Sequence, residues 1–150
     1  MFRNTFFQNK YLNTLILAGS LVYALIMIKL LFLRGTTYYN SSYQNYNLIP
    51  FKTIKQYALH REHYNLDTWV KNLFGNIILF IPLGVIFPLL NTRYLRTIPF
   101  LLVVILVLLA VELIQLFTKV GSFDVDDIIL NTFGALIGFV ATVAALRSRK

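Results

Sequence analysis

The side chains able to do chemistry are few, and they recur at helical intervals. Glu112, Gln115 and Lys119 follow i, i+3, i+7, Asp127 and Asn131 follow i, i+4, and Asn72 and Asn76 repeat that interval. Each set therefore makes one stripe on a helix. Asp124 and Asp126 stand just ahead of Asp127. Carboxylates and carboxamides can take hydroxyl, amide or cationic groups of a ligand, and Lys119 can take an anionic headgroup. Glu112 could instead serve as an acid or base. Cysteine is absent, which removes thiolate nucleophiles and Cys-ligated zinc. The chain has no Gly-rich phosphate loop, no Gly-x-Ser-x-Gly elbow and no His-Glu-x-x-His motif, so no recognised motif demands catalysis. His60 and His63 lie three apart on a connecting segment, a spacing that does not by itself make a metal site. No metal and no cofactor is expected.

The elements that must position these residues follow from charge. Hydrophobic residues make up 57% of the 150 positions, charged residues only 13%, and mean hydropathy is +0.66. Soluble domains carry roughly a quarter charged residues, so a soluble enzyme, a disordered chain and a secreted disulfide scaffold are excluded. Four apolar runs, Leu12 to Leu33, Leu73 to Leu90, Ile98 to Phe117 and Ile128 to Ala145, contain only Lys29 and Glu112 as charges. Each approaches the roughly 17 to 25 residues that cross a hydrocarbon core as a helix. The first run outlasts the h-region of a signal peptide and lacks a cleavage pattern at its end, so it reads as an uncleaved span. The expected fold is an all-α integral membrane protein, one domain over 1–150, with four transmembrane helices.

With four spans, both termini and the Asn91 to Thr97 turn share one side. That side holds Arg3, Lys10, Arg93, Arg96, Arg147, Arg149 and Lys150 and no acid. The opposite side holds Arg34, Lys52, Lys55, Arg61, Lys71 and Lys119, together with Glu62, Asp67, Asp124, Asp126 and Asp127. Short, purely basic connections predict cytoplasmic termini. The net charge of +8 then reports topology and contact with anionic lipid, and no nucleic-acid partner is implied. The long extracytoplasmic segment from Arg34 to Asn72 concentrates Tyr38, Tyr39, Tyr43, Tyr46, Tyr57, Tyr64 and Trp69, residues that favour the headgroup layer. After Pro50, Phe51, Ile54 and Ala58 share one helical face and Lys52, Lys55 and Gln56 the other. This predicts a short amphipathic helix at the interface.

Helix order puts Glu112, Gln115, Asn76, Asn131 and Lys29 within roughly 8 Å of the same interface, at about 1.5 Å per residue. The Gly134-x-x-x-Gly138 spacing admits another helix backbone on the face that carries Asp127 and Asn131. The expectation is a polar cup, floored by glycines and containing Glu112. Each member also has a structural explanation: Asp124 and Asp127 as helix caps, Asn76 and Asn131 as interhelical glue, and Lys29 as a snorkelling cation. A carboxylate at the depth of Glu112 needs a partner or a proton.

The same residues carry a family resemblance. Asn76-Ile-Ile-Leu-Phe-Ile-Pro-Leu-Gly84, Glu112-Leu-Ile-Gln115, and Phe123-Asp-Val-Asp-Asp-Ile-Ile-Leu-Asn131-Thr-Phe-Gly134, preceded by Asn47-Leu-Ile-Pro50-Phe51, make the chain resemble the VanZ-like family of bacterial membrane proteins, over about Asn47 to Phe139. The resemblance implies a multi-pass protein of the bacterial cytoplasmic membrane. It also implies a cell-envelope role in glycopeptide resistance of the teicoplanin type, without an established enzymatic activity. Many members carry a basic residue where this chain has Gly121, and Lys119 is the nearest cation. The ligand set expected on this basis is Glu112, Gln115, Lys119, Asp124, Asp126, Asp127, Asn131 and Asn76. It would engage membrane lipids and a lipid-linked cell-wall precursor or a lipid-tailed glycopeptide. The competing expectation is a membrane-embedded enzyme using Glu112 as acid or base on a lipid-linked envelope substrate.

Overall fold

The computed structural model describes residues 10–33 and 46–148. Arg3, Arg34, Tyr38, Tyr39, Tyr43, Arg149 and Lys150, which figure in the charge and aromatic patterns above, lie outside the described residues. Among the described residues four helices are long and apolar enough to cross a membrane: Lys10–Phe32, Leu66–Leu90, Thr97–Thr118 and Val125–Arg147. The chain is therefore an all-α membrane protein of four spans.

The first helix, α1 (Lys10–Phe32), is apolar around its circumference and buries only Met27 against the rest of the protein. Such a surface suits lipid, which needs no polar partner from a helix whose backbone bonds are internal. The Tyr23 hydroxyl of this helix donates to the Leu79 carbonyl at 2.8 Å. After Tyr46–Asn47 (β1) comes the short α2 (Lys52–Leu59). Its positive φ of 65° at Phe51 turns the chain sharply into the helix. Ile54 and Tyr57 are half-buried, whereas Lys52, Lys55, Phe51 and Ala58 are exposed. The face turned to the protein is thus narrower than the apolar face drawn from the sequence.

The second span starts earlier than its apolar run. α3 (Leu66–Val70), a wide turn of π-helix at Lys71–Gly75 and α4 (Asn76–Leu90) form one continuous rod. Asn65 caps it by accepting from the Thr68 amide at 2.8 Å. Pro82 and Pro88 sit inside α4, and Pro88 is fully buried. Asn91 opens the tight turn to α5 (Thr97–Thr118), its side chain accepting from the Arg93 amide at 2.9 Å. On α5 the buried residues are Phe100, Val104, Leu108 and Glu112, a stripe at i, i+4 spacing. The helix ends with Lys119 at φ 57° and with the Val120 amide bonded to the Gln115 carbonyl at 3.1 Å, a helix stop usually built on glycine. Phe123–Asp124 (β2) then pairs in parallel with β1, Tyr46 opposite Phe123 and Asn47 opposite Asp124, and α6 (Val125–Arg147) follows.

α4 and α6 run in the same direction and touch backbone to backbone. A Cβ on Gly134 would strike the Ile77 carbonyl, one on Gly138 the Ile81 carbonyl, and one on Gly84 the Ala135 carbonyl. The Gly134-x-x-x-Gly138 face is therefore an intrachain contact filled by α4. The expected approach of another helix backbone on this face is thus present, the neighbour being the Ile77 and Ile81 backbone. Phe80, Phe100, Val104, Leu108, Ala135 and Phe139 complete the core beneath, with the Phe100 and Phe139 rings stacked at 4.4 Å.

Candidate functional site: a carboxylate cluster that holds a loop

The polar residues converge at the end of the bundle where α4 and α6 begin and α5 ends. Asp126 lies at the centre and is fully buried. One oxygen accepts the Phe51 amide at 2.5 Å, the other the Thr53 and Ile54 amides at 2.7 and 3.1 Å. These are free donors of the first turn of α2, whose N-cap position, Phe51, offers no side-chain acceptor. A helix N-terminus leaves its first N–H groups unpaired and favours an anion, and Asp126 supplies that anion from a helix 75 residues away in sequence.

Asp124 secures the same segment from the other side. Its Oδ1 accepts the Asn47 side-chain amide at 2.9 Å and the Asp126 backbone amide at 2.8 Å, while Oδ2 accepts the Thr53 hydroxyl at 2.7 Å. Asp124 thus caps α6, as anticipated, and also clamps the loop. Asn47 completes the clamp, donating to the Thr53 hydroxyl at 3.0 Å and accepting the Ile49 amide at 3.1 Å. With the β1–β2 pairing, the segment from Tyr46 to Ile54 is fastened over the start of α6.

Glu112, 3% exposed, accepts the Asp124 backbone amide at 3.1 Å, which ties α5 to the entry of α6. Asp127 accepts the Asn76 amide at 2.6 Å, and the same amide group donates to the Asn72 carbonyl at 3.2 Å. That contact joins α6 to α4. Asn131, one turn deeper on α6, is buried with its Oδ1 unpartnered among the described residues, as is the neighbouring Thr132 hydroxyl.

Two predicted members stand apart. Gln115 turns away to donate to the Leu31 carbonyl at 3.1 Å and so binds α1 to α5. Lys119 is exposed at the end of α5. Lys29 is exposed as well, consistent with snorkelling. Ion pairs among the described residues join only His60 and His63 to Glu62 and Lys71 to Asp67. Glu112, Asp124, Asp126 and Asp127 are therefore held by N–H and O–H donors, with no cation within ion-pair distance among the described residues.

Thr53 and the backbone amides of Phe51 and Ile54 were not anticipated as part of this region. The available signal was the lack of a capping side chain ahead of α2, which requires an acceptor from elsewhere.

The model of the VanZ/LLP1 family matches residues 20–146, most of the chain. The chain belongs to the VanZ/LLP1 family. One relative, Protein VanZ of Enterococcus faecium, is 27% identical over 93 residues, covering 62% of this chain and 57% of that protein. The chain thus aligns with little more than half the length of that VanZ protein. No solved structure matches. The matched region contains the loop, the clamp and Glu112, Asp124, Asp126 and Asp127.

Proposed function

We propose that this VanZ/LLP1 protein resides in a bacterial cytoplasmic membrane with both termini inside, and that it contributes to tolerance of teicoplanin-like glycopeptides. The carboxylate end of the bundle then faces the outer leaflet. There it engages a lipid-linked cell-wall precursor or a lipid-tailed antibiotic. The observation that carries the proposal is the fastening of the Tyr46 to Ile54 segment over α6 by Asp124 and Asp126, beside Glu112 and the Asp127–Asn76 pair. Half-buried Asp124, Asp127 and Asn76 offer a rim for hydroxyl and amide groups, and exposed Lys119 meets an anionic headgroup. Asp126 and Glu112 act from beneath, Asp126 by holding the loop and Glu112 by holding the Asp124 backbone.

Expression in a susceptible bacterium is expected to raise tolerance of teicoplanin more than of vancomycin. Asp127→Asn and Glu112→Gln should remove the gain at unchanged protein level. No gain from the unmodified chain would overturn the proposal. A mass change in lipid extracts that vanishes with Glu112→Gln would overturn it in favour of an enzyme using Glu112 as acid or base.

A further inference from the structure

A second group of ligating side chains lies outside the cluster, on the exposed turn that follows α2. Among the described residues, His60, Glu62 and His63 are the set of three whose ligand atoms all fall within 4.8 Å of one another. The Glu62 Oε1 atom lies 3.3 Å from Nδ1 of His63 and 3.8 Å from Nδ1 of His60. A tetrahedral ion with ligands at about 2.0 to 2.1 Å separates its donors by roughly 3.3 to 3.4 Å. Closing the set therefore asks for side-chain adjustments on the order of 1 Å.

The backbone beneath these donors is braced. The His60 amide bonds to the Gln56 carbonyl, the His63 amide to the His60 carbonyl and the Tyr64 amide to the Arg61 carbonyl, each at 3.1 Å. Gln56 donates to the Tyr64 hydroxyl at 2.6 Å, the Tyr57 and Tyr64 rings meet at 4.5 Å, and the Trp69 indole donates to the Tyr57 carbonyl at 2.8 Å. The one cation in the turn, Arg61, is drawn aside over the Trp69 ring at 5.1 Å, which takes its charge away from the donor set.

We propose that His60, Glu62 and His63 form a tridentate surface site for a borderline divalent transition ion, Zn2+ being the best match, with the remaining coordination position open to water. Two imidazoles and one carboxylate suit Zn2+ and its transition-metal neighbours. Ca2+ and Mg2+ ask for six or more oxygens, which this turn does not supply. The site goes beyond the glycopeptide proposal and stands or falls without it.

The test is calorimetric titration of the full-length, tag-free protein in nanodiscs with zinc chloride alone, followed by X-ray absorption at the zinc edge. One saturable ion per chain is expected, with nitrogen and oxygen ligands at about 2.0 to 2.1 Å. His60→Ala and His63→Ala should each weaken binding at least roughly tenfold, since even outer-shell partners count for that much. The three side chains are exposed, so the variants should keep the fold, and Lys71→Ala serves as a matched surface control. Absence of saturable binding by the unmodified chain would overturn the assignment. So would binding that survives in the double histidine variant.

Discussion

Replacing Asp126 with asparagine tests the loop clamp with a change of one atom. The carboxylate accepts three backbone amides, from Phe51, Thr53 and Ile54. An asparagine oxygen turned toward the Thr53 and Ile54 amides keeps those two bonds and leaves its NH2 group facing the Phe51 amide, donor against donor. Hydrogen bonds to a charged group contribute about 1.5 to 3 kcal/mol each, so losing one weakens the docked loop by about 1.5 to 3 kcal/mol. The core of Phe80, Phe100, Val104, Leu108 and Phe139 does not depend on those bonds. The loss should therefore surface as local opening of the loop while the helices stay packed. At about 1.4 kcal/mol per decade, hydrogen exchange at the Thr53 and Ile54 amides should accelerate by about one to two orders of magnitude. Exchange in the middle of α5 and α6 should stay unchanged. Asp67→Asn is the control, because its pair with Lys71 is exposed and surface pairs contribute less than about 1 kcal/mol. Unchanged exchange at Thr53 and Ile54 in the Asp126 variant would refute the clamp.

Gly138→Ala places a methyl group against the Ile81 carbonyl, whereas Gly19 has nothing within 4 Å of a Cβ; the first should lower the thermal midpoint in detergent and Gly19→Ala should leave it level or raise it. Lys119 sits at φ 57°, where a side chain costs roughly 1 to 2 kcal/mol, so Lys119→Gly should raise that midpoint while removing the rim cation. A Cβ on Gly121 would stand no closer than 3.5 Å to Gln115, and Gly121 has no positive φ; Gly121→Arg should fold as stably as the parent by the same thermal assay.

The four spans were legible because so few charges interrupt the apolar runs, and the end of the bundle that gathers the carboxylates followed from counting residues along the helices. Asn76 meets Asp127 between α4 and α6, and Glu112 accepts the Asp124 amide at the same end. Asp126 was harder to read. Beside Asp124 and Asp127 it reads as one more member of the expected ligand set, yet its oxygens serve α2 through a contact that exists only once the loop has docked. Gln115 shares a stripe with Glu112, but its carboxamide donates to the Leu31 carbonyl on α1. The glycine face announced a close helix approach correctly, while its partner, the backbone of Ile77 and Ile81, could be known only from the packing. The π-helical turn at Lys71–Gly75 has no side-chain signature; it lengthens the second span beyond its hydrophobic run.

The proposed role requires the carboxylate end of the bundle to face the outer leaflet, and the chain contains no cysteine, which leaves a single introduced thiol as the sole label site. Ser122 is exposed in the turn ahead of α6, and Ser148 is exposed at the other end of that helix. In intact cells a membrane-impermeant maleimide should label Ser122→Cys and leave Ser148→Cys unlabelled until the cells are permeabilised. Labelling of Ser148→Cys in intact cells with Ser122→Cys protected would put the clamp and its carboxylates in the cytoplasm and contradict the account.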